Sequence, residues 1–551
     1  MKKLVGIVIL FLITAALYAI PPMPGTKHGG CIHLPGTQAP FRSPSKQAAD
    51  SSLQKISPLS TAVSGDRNLL VILVNFTDKE FSILGDGATK EKYRKHYLDL
   101  LQNNTYSMRK YYQDMSGGKL NLTFTVLGPY DLDNNMAYYG ANIDDINYND
   151  IRRGDLVTDA IKKAEESGDL DSPWAVYADN WDYDNNGNID NVFIVHAWED
   201  EQDSLNPDAI ASNRWDLNST KIYGQSTYDK YEININGIKK IFKDYVIVPE
   251  YTLGDVPGPS IGAFCHEYGH ILGLDDLYDY TYETAGVGFW SLMSFGVDGT
   301  MGEKSTTKGS DPAPLLAWEK WYLGWLTPET ITPTAKPQTF KFSDIEESRK
   351  AWKINLNPSG SQYLILEGKK RNLTGTGWAV FEDGLLITHI DEDILSKYWQ
   401  NTINSSKTRV HGIDIVEALS PYYETTGLGN LWNYSAIISG ITCFRNNTKS
   451  ILVPSYPKAA AGIGFFISLL LLHRKRKKLG TLLLICCIAC FMACNISGHS
   501  SHSDKRGQDI PNTNYYTSEL VTSKTGISGI IITVDCPAGS SSGTFTVVKE
   551  K

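Results

Sequence analysis

Two histidines four residues apart place the strongest constraint on how this chain can fold. In the stretch PSIGAFCHEYGHILGLDDLYD, His266 and His270 lie on either side of Glu267, and Ser260 stands where a helix N-cap is expected. Residues four apart on an α-helix project from one face, so both imidazoles can reach one metal ion. Glu267 is rotated beside them, where it can reach a water rather than the metal itself. The pattern predicts a zinc-binding helix that also carries a proton-transferring acid.

The acids that follow this helix offer a third ligand. Gly273 can take the left-handed conformation that ends a helix and turns the chain back. Asp276 lies six residues after His270, a step that lets the returning chain meet the metal. Asp275 comes while the chain is still turning, and Asp279 lies a further turn away. Asp276 is therefore the predicted third ligand.

Several other stretches share their order and chemistry with one protein family. The stretch GFWSLMSFG places Met293 in a short turn after the metal-binding segment. Together with HEYGHILGLDDLYD it resembles the metzincin zinc peptidases and, within them, the bacterial immune inhibitor A-like metallopeptidases. The resemblance covers about residues 68–418 and extends to LLVILVNFTDKEF, SMRKYYQDMSGGKL, DYDNNGNIDNVFIVHA, LLAWEKWYLGWL, YLILEGKK and GLLITHIDED.

The resemblance implies a secreted zinc endopeptidase that hydrolyses peptide bonds in proteins. It makes His266, His270 and Asp276 the zinc ligands, Glu267 the general base and Met293 the methionine of the Met-turn. Zinc lowers the pKa of a bound water towards about 7, and the glutamate can then accept its proton.

The residue that stabilises the oxyanion is less well defined. Phe295 stands two residues after Met293, where some relatives place a tyrosine. Tyr278 and Tyr280 are the candidates for the role.

Two other functional classes fit the same residues. In the other large class of peptidases with paired helix histidines, the third ligand is a more distant glutamate, for which Glu283 and Glu303 are candidates. A calcium-dependent surface adhesin with a structural metal site is the non-enzymatic alternative. Closed structural zinc sites use four protein ligands, so three ligands with Glu267 beside them favour catalysis.

A second metal site is indicated by the loop DYDNNGNID, in which oxygen-bearing side chains alternate around a glycine. The candidate calcium ligands are Asp182, Asp184, Asn186 and Asp190. An EF-hand needs a bidentate glutamate where Phe193 stands, so the pattern favours a structural Ca²⁺ site of another type. A hydrated polar turn is the alternative.

The start of the chain is typical of an exported bacterial protein. Residues 1–19, MKKLVGIVILFLITAALYA, have two lysines, an apolar core and a small residue at the end, as in a secretory signal peptide. Residues 20–65 are rich in Pro, Ser, Gly and Lys and predict a pro-segment or linker.

The predicted fold class is α+β. Residues 66–332 are expected to form a metzincin-like zinc peptidase domain with a mixed twisted sheet and an active-site helix. Strand signals dominate residues 333–430, which predicts a β-rich subdomain of the peptidase, and residues 431–458 read as a linker. His196 and His389 stand at strand ends and are expected to be structural.

The C-terminal region predicts a membrane anchor. Residues 459–495 contain two apolar arms joined by the basic link 473–478, which favours a helical hairpin. Each arm would reach roughly 21 to 24 Å, short of a hydrocarbon core of about 30 Å, so local thinning or snorkelling lysines are required. The positive-inside rule places the link in the cytoplasm and both the peptidase and the tail 496–551 outside. A lipoprotein-like segment ending at Cys494 is the alternative.

The charge of the chain indicates which kinds of partner it can bind. A formal net charge of -9 at pH 7, spread along the sequence, argues against nucleic acid as a partner. The expected partners are protein or peptide substrates and a membrane.

Overall fold

The computed structural model describes the peptidase region and a short part of the C-terminal tail. All described residues belong to the unit Pro22–Phe444 with Pro511–Lys551. They are residues 59, 61–142, 150–171, 181–183, 186–190, 192–204, 206–222, 224–235, 237–251, 260–279, 286–299, 309–372, 377–380, 383–398, 403–404, 411–416, 530–535 and 541–549.

The strands among these residues are β1 (Gly65–Asn75), β2 (Leu120–Asp131), β3 (Asn188–Ile189), β4 (Val192–Glu199), β5 (Asn213–Asp216), β6 (Tyr231–Ile235), β7 (Ile238–Phe242), β8 (Asp244–Tyr251), β9 (Glu329–Ile331), β10 (Gln338–Phe342), β11 (Ala351–Asn355), β12 (Gln362–Lys369), β13 (Gly384–Asp391), β14 (Ile413–Ile415), β15 (Ile530–Asp535) and β16 (Gly543–Lys549).

The α-helices are α1 (Lys90–Leu98), α2 (Met108–Ser116), α3 (Met136–Gly140), α4 (Arg153–Glu166), α5 (Glu201–Ser204), α6 (Leu217–Ile222), α7 (Gly262–Ile271), α8 (Ala317–Tyr322), α9 (Ile345–Ser348) and α10 (Glu392–Tyr398). A π-helical turn, Asp99–Asn103, continues α1, and short 3₁₀ turns are found at Asp169–Asp171, Gly288–Trp290 and Phe295–Asp298.

The sheet that supports the site has the strand order β2-β1-β4-β8-β5. Its first four strands are parallel, and the edge strand β5 is antiparallel to β8. Both faces of β1 are covered, which explains its continuous apolar run, since a parallel strand is usually buried on both sides. Leu69, Val71 and Leu73 pack into one core, whereas the alternate residues of β1 pack into a second core on the other face.

The predicted zinc helix α7 packs on the first of these faces. Phe264 of α7 stacks on Phe193 of β4, with ring centroids 6.0 Å apart. The Tyr112 hydroxyl of α2 donates to the carbonyl of Cys265 at 2.5 Å. Helix α4 packs on the opposite face through Leu156, among others. Helices thus pack on both faces of this sheet, and a separate sheet of mostly antiparallel strands follows in the sequence. These two features confirm the mixed α+β class.

A second sheet is formed by strands that come after helix α7 in the sequence. Its strand order is β14-β13-β12-β11-β9, and all pairs are antiparallel except β11 with β9. Strands β12 and β13 are buried along their whole length. A smaller sheet, β3-β7-β6, lies near the acidic loop at 182–190.

The C-terminal strands pair with a strand far away in the sequence. Strands β10, β16 and β15 form an antiparallel sheet in that order. The Phe545 side chain is fully buried, with its ring 5.2 Å from that of Phe340 and 5.0 Å from that of Trp352. The tail is therefore packed on the β-rich part of the peptidase.

Within the residues described here, none of the helices has the length and apolar character needed to cross a membrane. The predicted signal peptide at 1–19 and the predicted hairpin at 459–495 both lie outside the described residues.

Candidate metal centre

The start of helix α7 differs in one detail from the sequence prediction. Ile261, not Ser260, is the N-cap, and it makes no side-chain capping bond. The amides of Ile261 and Gly262 instead donate to the carbonyl of Gly309, at 3.1 and 2.8 Å. The Ser260 hydroxyl also accepts the amide proton of Gly262, at 3.4 Å, so the predicted serine shares the start of this helix with a distant backbone carbonyl.

The helix ends at a glycine turn that shapes the site. Gly273 has φ +97°, and its amide donates to the carbonyl of His270 at 3.0 Å. The amide of Leu274 donates to the carbonyl of Gly269, also at 3.0 Å. These two bonds form a Schellman motif, in which glycine adopts the left-handed conformation at low cost. The turn sends the chain back beneath the helix face that carries the histidines.

Three side chains converge on one point after this turn. The Nε2 atom of His266 lies 3.0 Å from Oδ1 of Asp276, and Nε2 of His270 lies 3.3 Å from the same oxygen. The two Nε2 atoms are 3.1 Å apart. All three residues are buried, and among the described residues they are the group of His, Cys, Asp and Glu side chains able to share a metal ion.

The imidazoles are oriented by backbone carbonyls. His266 Nδ1 donates to the carbonyl of Leu292 at 2.9 Å, and His270 Nδ1 donates to that of Leu274 at 3.0 Å. Because a carbonyl can only accept, Nδ1 carries a proton in both rings, and both Nε2 atoms face Asp276. Outer contacts of this kind fix the tautomer and ring angle of metal-binding histidines.

The spacing of these atoms fits a zinc ion. Tetrahedral zinc with bonds of about 2.0 to 2.1 Å needs ligand atoms roughly 3.3 Å apart. The three observed separations lie between 3.0 and 3.3 Å, as on one face of such a tetrahedron. Two nitrogens and one carboxylate oxygen are also a donor set that zinc accepts.

The electrostatics of the cluster favour a cation. Burial alone would lower the pKa of His270, but the Asp276 carboxylate outweighs burial and raises it to about 9. Burial opposes ionisation of Asp276 too, yet the two histidines hold its pKa well below its usual range. The cluster therefore retains positive charge beside Asp276, and a metal ion would take the place of the proton.

Glu267 lies next to these ligands on α7 and is fully buried. Its charge contributes to the raised pKa of His270, which places the carboxylate close to the imidazoles. The arrangement gives an acid that can exchange a proton with a group held at the cluster.

The segment Ser291–Met293 lies beneath the cluster. A Cβ atom built on Gly269 would lie 2.5 Å from Sδ of Met293, so the thioether rests on α7 between the two histidines. The Met293 carbonyl accepts the amide proton of Leu277 at 2.7 Å, which ties this segment to the chain just after Asp276. We call Ser291–Met293 the Met-turn.

Of the other residues predicted for the zinc site, the structure describes Tyr278 alone. Tyr278 is buried, with its ring 6.1 Å from that of Phe295. Tyr280, Glu283 and Glu303 lie outside the described residues. The oxyanion-stabilising residue therefore stays a prediction.

The predicted calcium loop uses its acids in other contacts. Asp182 accepts backbone protons from Asn186 and Gly187, each at 2.9 Å, and forms a buried ion pair with Lys240 at 2.7 Å. Oδ2 of Asp190 accepts the amide proton of Tyr183 at 2.6 Å. Asp184 lies outside the described residues. An ammonium group already neutralises one of the predicted calcium ligands.

Some residues that support the site carry no signal in the sequence. Leu274 and Leu292 act through backbone carbonyls, which every residue type possesses. Asn404 donates from its side chain to the carbonyl of Leu277 at 2.7 Å, and it is fully buried. Its contact spans 127 residues, so local patterns could not reveal it.

The fold and the site define a class of protein. A helix with two converging histidines, a returning aspartate and an adjacent buried glutamate, packed on a mixed sheet, is the arrangement of a metallopeptidase domain.

Comparison with known proteins gives the family. Residues 59–326 match the family model described as immune inhibitor A peptidase M6, catalytic domain. Pre-pro-metalloprotease PrtV of Vibrio cholerae serotype O1 (strain M66-2) is 31% identical over 286 residues, which cover 46% of this chain and 29% of that protein. Immune inhibitor A of Bacillus thuringiensis subsp. alesti is 30% identical over 256 residues, 41% of this chain and 36% of that protein.

Residues 59–326 therefore resemble the catalytic domain of the immune inhibitor A peptidase M6 family, and the resemblance predicted from the sequence is confirmed. The chain spans about a third of the length of these curated relatives.

Proposed function

We propose that this chain is an exported zinc endopeptidase that hydrolyses peptide bonds in proteins. The observation that carries the proposal is the convergence of His266, His270 and Asp276 within 3.3 Å, with Glu267 buried beside them. The names of the relatives, a metalloprotease and an immune inhibitor A, agree with it.

Nε2 of His266, Nε2 of His270 and Oδ1 of Asp276 would hold the metal. A bound zinc ion supplies Lewis acidity, which makes water acidic enough to lose a proton near neutral pH and polarises the scissile carbonyl. Glu267 accepts the proton of the attacking water and later donates it to the leaving amine. The carbonyls of Leu274 and Leu292 keep both imidazoles in the tautomer that this work requires.

Burial strengthens these interactions. His266, Glu267 and Asp276 are all fully buried, and charges interact more strongly where water is excluded. The protease relatives imply that the substrates are proteins.

The class with a distant glutamate ligand is the second candidate. Oδ1 of Asp276 lies within 3.3 Å of both histidines, which favours the aspartate as the ligand. A structural site in an adhesin would need four protein ligands, whereas the described residues bring three together.

Export and anchoring are further parts of the proposal. The pairing of β16 with β10 supports a common compartment for the tail and the peptidase, as the hairpin topology predicts. A cysteine at position 498 should then react with an impermeant reagent on intact cells, and one within 473–478 should not. Reaction at both positions, or at neither, would contradict this topology.

The last part of the proposal is a structural Ca²⁺ ion bound by the loop 182–190. The alternating oxygen ligands favour it, and the ion pair of Asp182 with Lys240 opposes it.

The direct test of the enzymatic proposal is Glu267→Gln. The variant should keep zinc, because the three ligands are unchanged, and should lose hydrolysis of an unfolded protein. Chelation should abolish wild-type hydrolysis, and Zn²⁺ should restore it. Full hydrolysis by Glu267→Gln would sink the proposed role of this residue.

A further inference from the structure

We propose that Glu319 is a positioning residue of the metal centre, acting through the hydroxyl of Ser291 on the Met-turn. The inference rests on the proposed zinc site and adds a residue that lies 43 positions after Asp276 in the chain. Glu319 belongs to α8 and is 1% exposed.

The first step is the anchor of the carboxylate. Oε2 of Glu319 accepts the amide proton of Leu316 at 2.6 Å, the N-terminal cap of α8. The amide of Ala317, the next residue, donates to Oε1 of Glu367 at 2.9 Å. Two buried glutamates therefore meet the start of α8, and the two differ in what else they contact.

The second step links Glu319 to the Met-turn. The Ser291 hydroxyl lies 3.0 Å from Oε1 and 2.8 Å from Oε2 of Glu319, and it is fully buried. The Ser291 hydroxyl donates its proton to Glu319, which leaves an oxygen lone pair for another donor. That donor is the amide of Met293, 3.0 Å from the serine oxygen.

The third step leads from the Met-turn to the ligands. Between Ser291 and Met293, the carbonyl of Leu292 accepts the Nδ1 proton of His266. The Met293 thioether rests on Gly269 between both histidines. The Met-turn thus fixes the ring orientation of His266, and it supports helix α7, which carries both histidine ligands.

A purely structural role for Glu319 is the competing account. Capping α8 would stabilise the fold without touching the metal centre. Glu367 offers the matched control, because it is fully buried, caps the same helix start and pairs with Lys369 at 2.8 Å. Glu367 makes no hydrogen bond to the Met-turn among the contacts of the described residues.

The test compares the full chain with its variants Ser291→Ala, Glu319→Ala, Glu319→Gln and Glu367→Gln. Each protein is loaded with zinc, and the rate of zinc loss to a chelator is measured, together with its thermal midpoint without metal. Co²⁺-substituted samples report the ligand geometry through their visible absorption.

We expect faster zinc loss in Ser291→Ala and Glu319→Ala, by up to about the 10- to 100-fold by which loss of a direct outer contact weakens metal binding, since both residues act on His266 through the Met-turn. Glu319→Gln should restore part of this, since an amide can still bond to both Leu316 and Ser291. Glu367→Gln should release zinc at the wild-type rate, even if its thermal midpoint falls as far as that of Glu319→Ala.

Two results would overturn the inference. Zinc loss and the Co²⁺ spectrum could be unchanged in Ser291→Ala and Glu319→Ala, or Glu367→Gln could change them equally. If instead His266→Ala bound as much zinc as the wild type, the proposed zinc site itself would be wrong. The failure of this inference and the failure of the zinc site are therefore distinguishable.

Discussion

Met293 lies against Gly269, in the turn of helix between the two histidines, so closely that a methyl group at Gly269 would come within 2.5 Å of its sulfur. The contact joins the Met-turn to the helix that carries His266, His270 and Glu267. It also explains why this position of the helix has no side chain, although glycine costs helix stability of about 1 kcal/mol relative to alanine.

Gly269→Ala should therefore weaken the metal centre. The added methyl must displace the Met293 side chain, and overpacking of a buried site typically costs about 1 to 3 kcal/mol. We expect faster zinc loss and a lower thermal midpoint, both measured on the same preparation. The double variant with Met293→Ala should recover part of each, because the space is returned. An unchanged zinc loss in Gly269→Ala would show that the thioether does not support the site.

The C-terminal strands should contribute to the stability of the peptidase. Phe545→Ala removes a fully buried ring from between Phe340 and Trp352, a change that usually costs about 3 to 5 kcal/mol. Chemical denaturation should show this loss, whereas Lys549→Ala, an exposed position on the same strand, should be nearly neutral. Equal stability of both variants would mean that β16 is not part of the folded peptidase.

His196 should make stability depend on pH. Burial lowers the pKa of His196 to about 4, and Nδ1 bonds to the carbonyl of Ala197. Since the pKa is near 6.5 in the unfolded chain, the unfolded state takes up the proton first. This stability is complete above pH 6.5 and is lost as the pH falls towards 4, by up to about 3 kcal/mol.

His196→Asn retains a donor and does not titrate in this range. The free energy of unfolding should therefore fall less between pH 7 and pH 4.5 in the variant than in the wild type. Parallel pH profiles would rule out a neutral, buried His196 as the cause.

The loop 182–190 allows a direct test of calcium. Asp190→Asn should lower the thermal midpoint more in Ca²⁺ than in chelator, because a ligand stabilises only the state that binds it. The same loss in both buffers would assign the loop to a hydrogen-bonded turn held by Lys240 and Asp182.

The sequence predicted the parts of the site that depend on local spacing. The four-residue step between His266 and His270 and the glycine turn before Asp276 are short-range features, and helix geometry turns them directly into positions. The continuous apolar run of β1 is likewise a local feature that indicates a buried strand, and both faces of β1 are covered.

Long-range contacts could not be predicted in this way. Glu319 stands within a stretch that resembled the family, yet its bond to Ser291 spans 28 residues. The carbonyl of Gly309, which accepts the first amides of α7 in addition to the Ser260 hydroxyl, could not be predicted for the same reason. Strand β16 pairs with β10 across about two hundred residues, as the contact of Thr339 with Thr546, 207 apart, illustrates. Backbone carbonyls and distant partners depend on the tertiary fold, which no local pattern encodes.

The zinc content of Asp276→Ala tests the central claim most directly. The carboxylate of Asp276 is the group that contacts both histidines, so its removal should reduce bound zinc from one ion per chain to well below one and abolish hydrolysis with it. Asp279→Ala, with an equally buried aspartate three residues later, should keep its zinc. If Asp276→Ala retains one zinc per chain while Glu283→Ala or Glu303→Ala loses it, the third ligand is a distant glutamate and the assignment made here is contradicted.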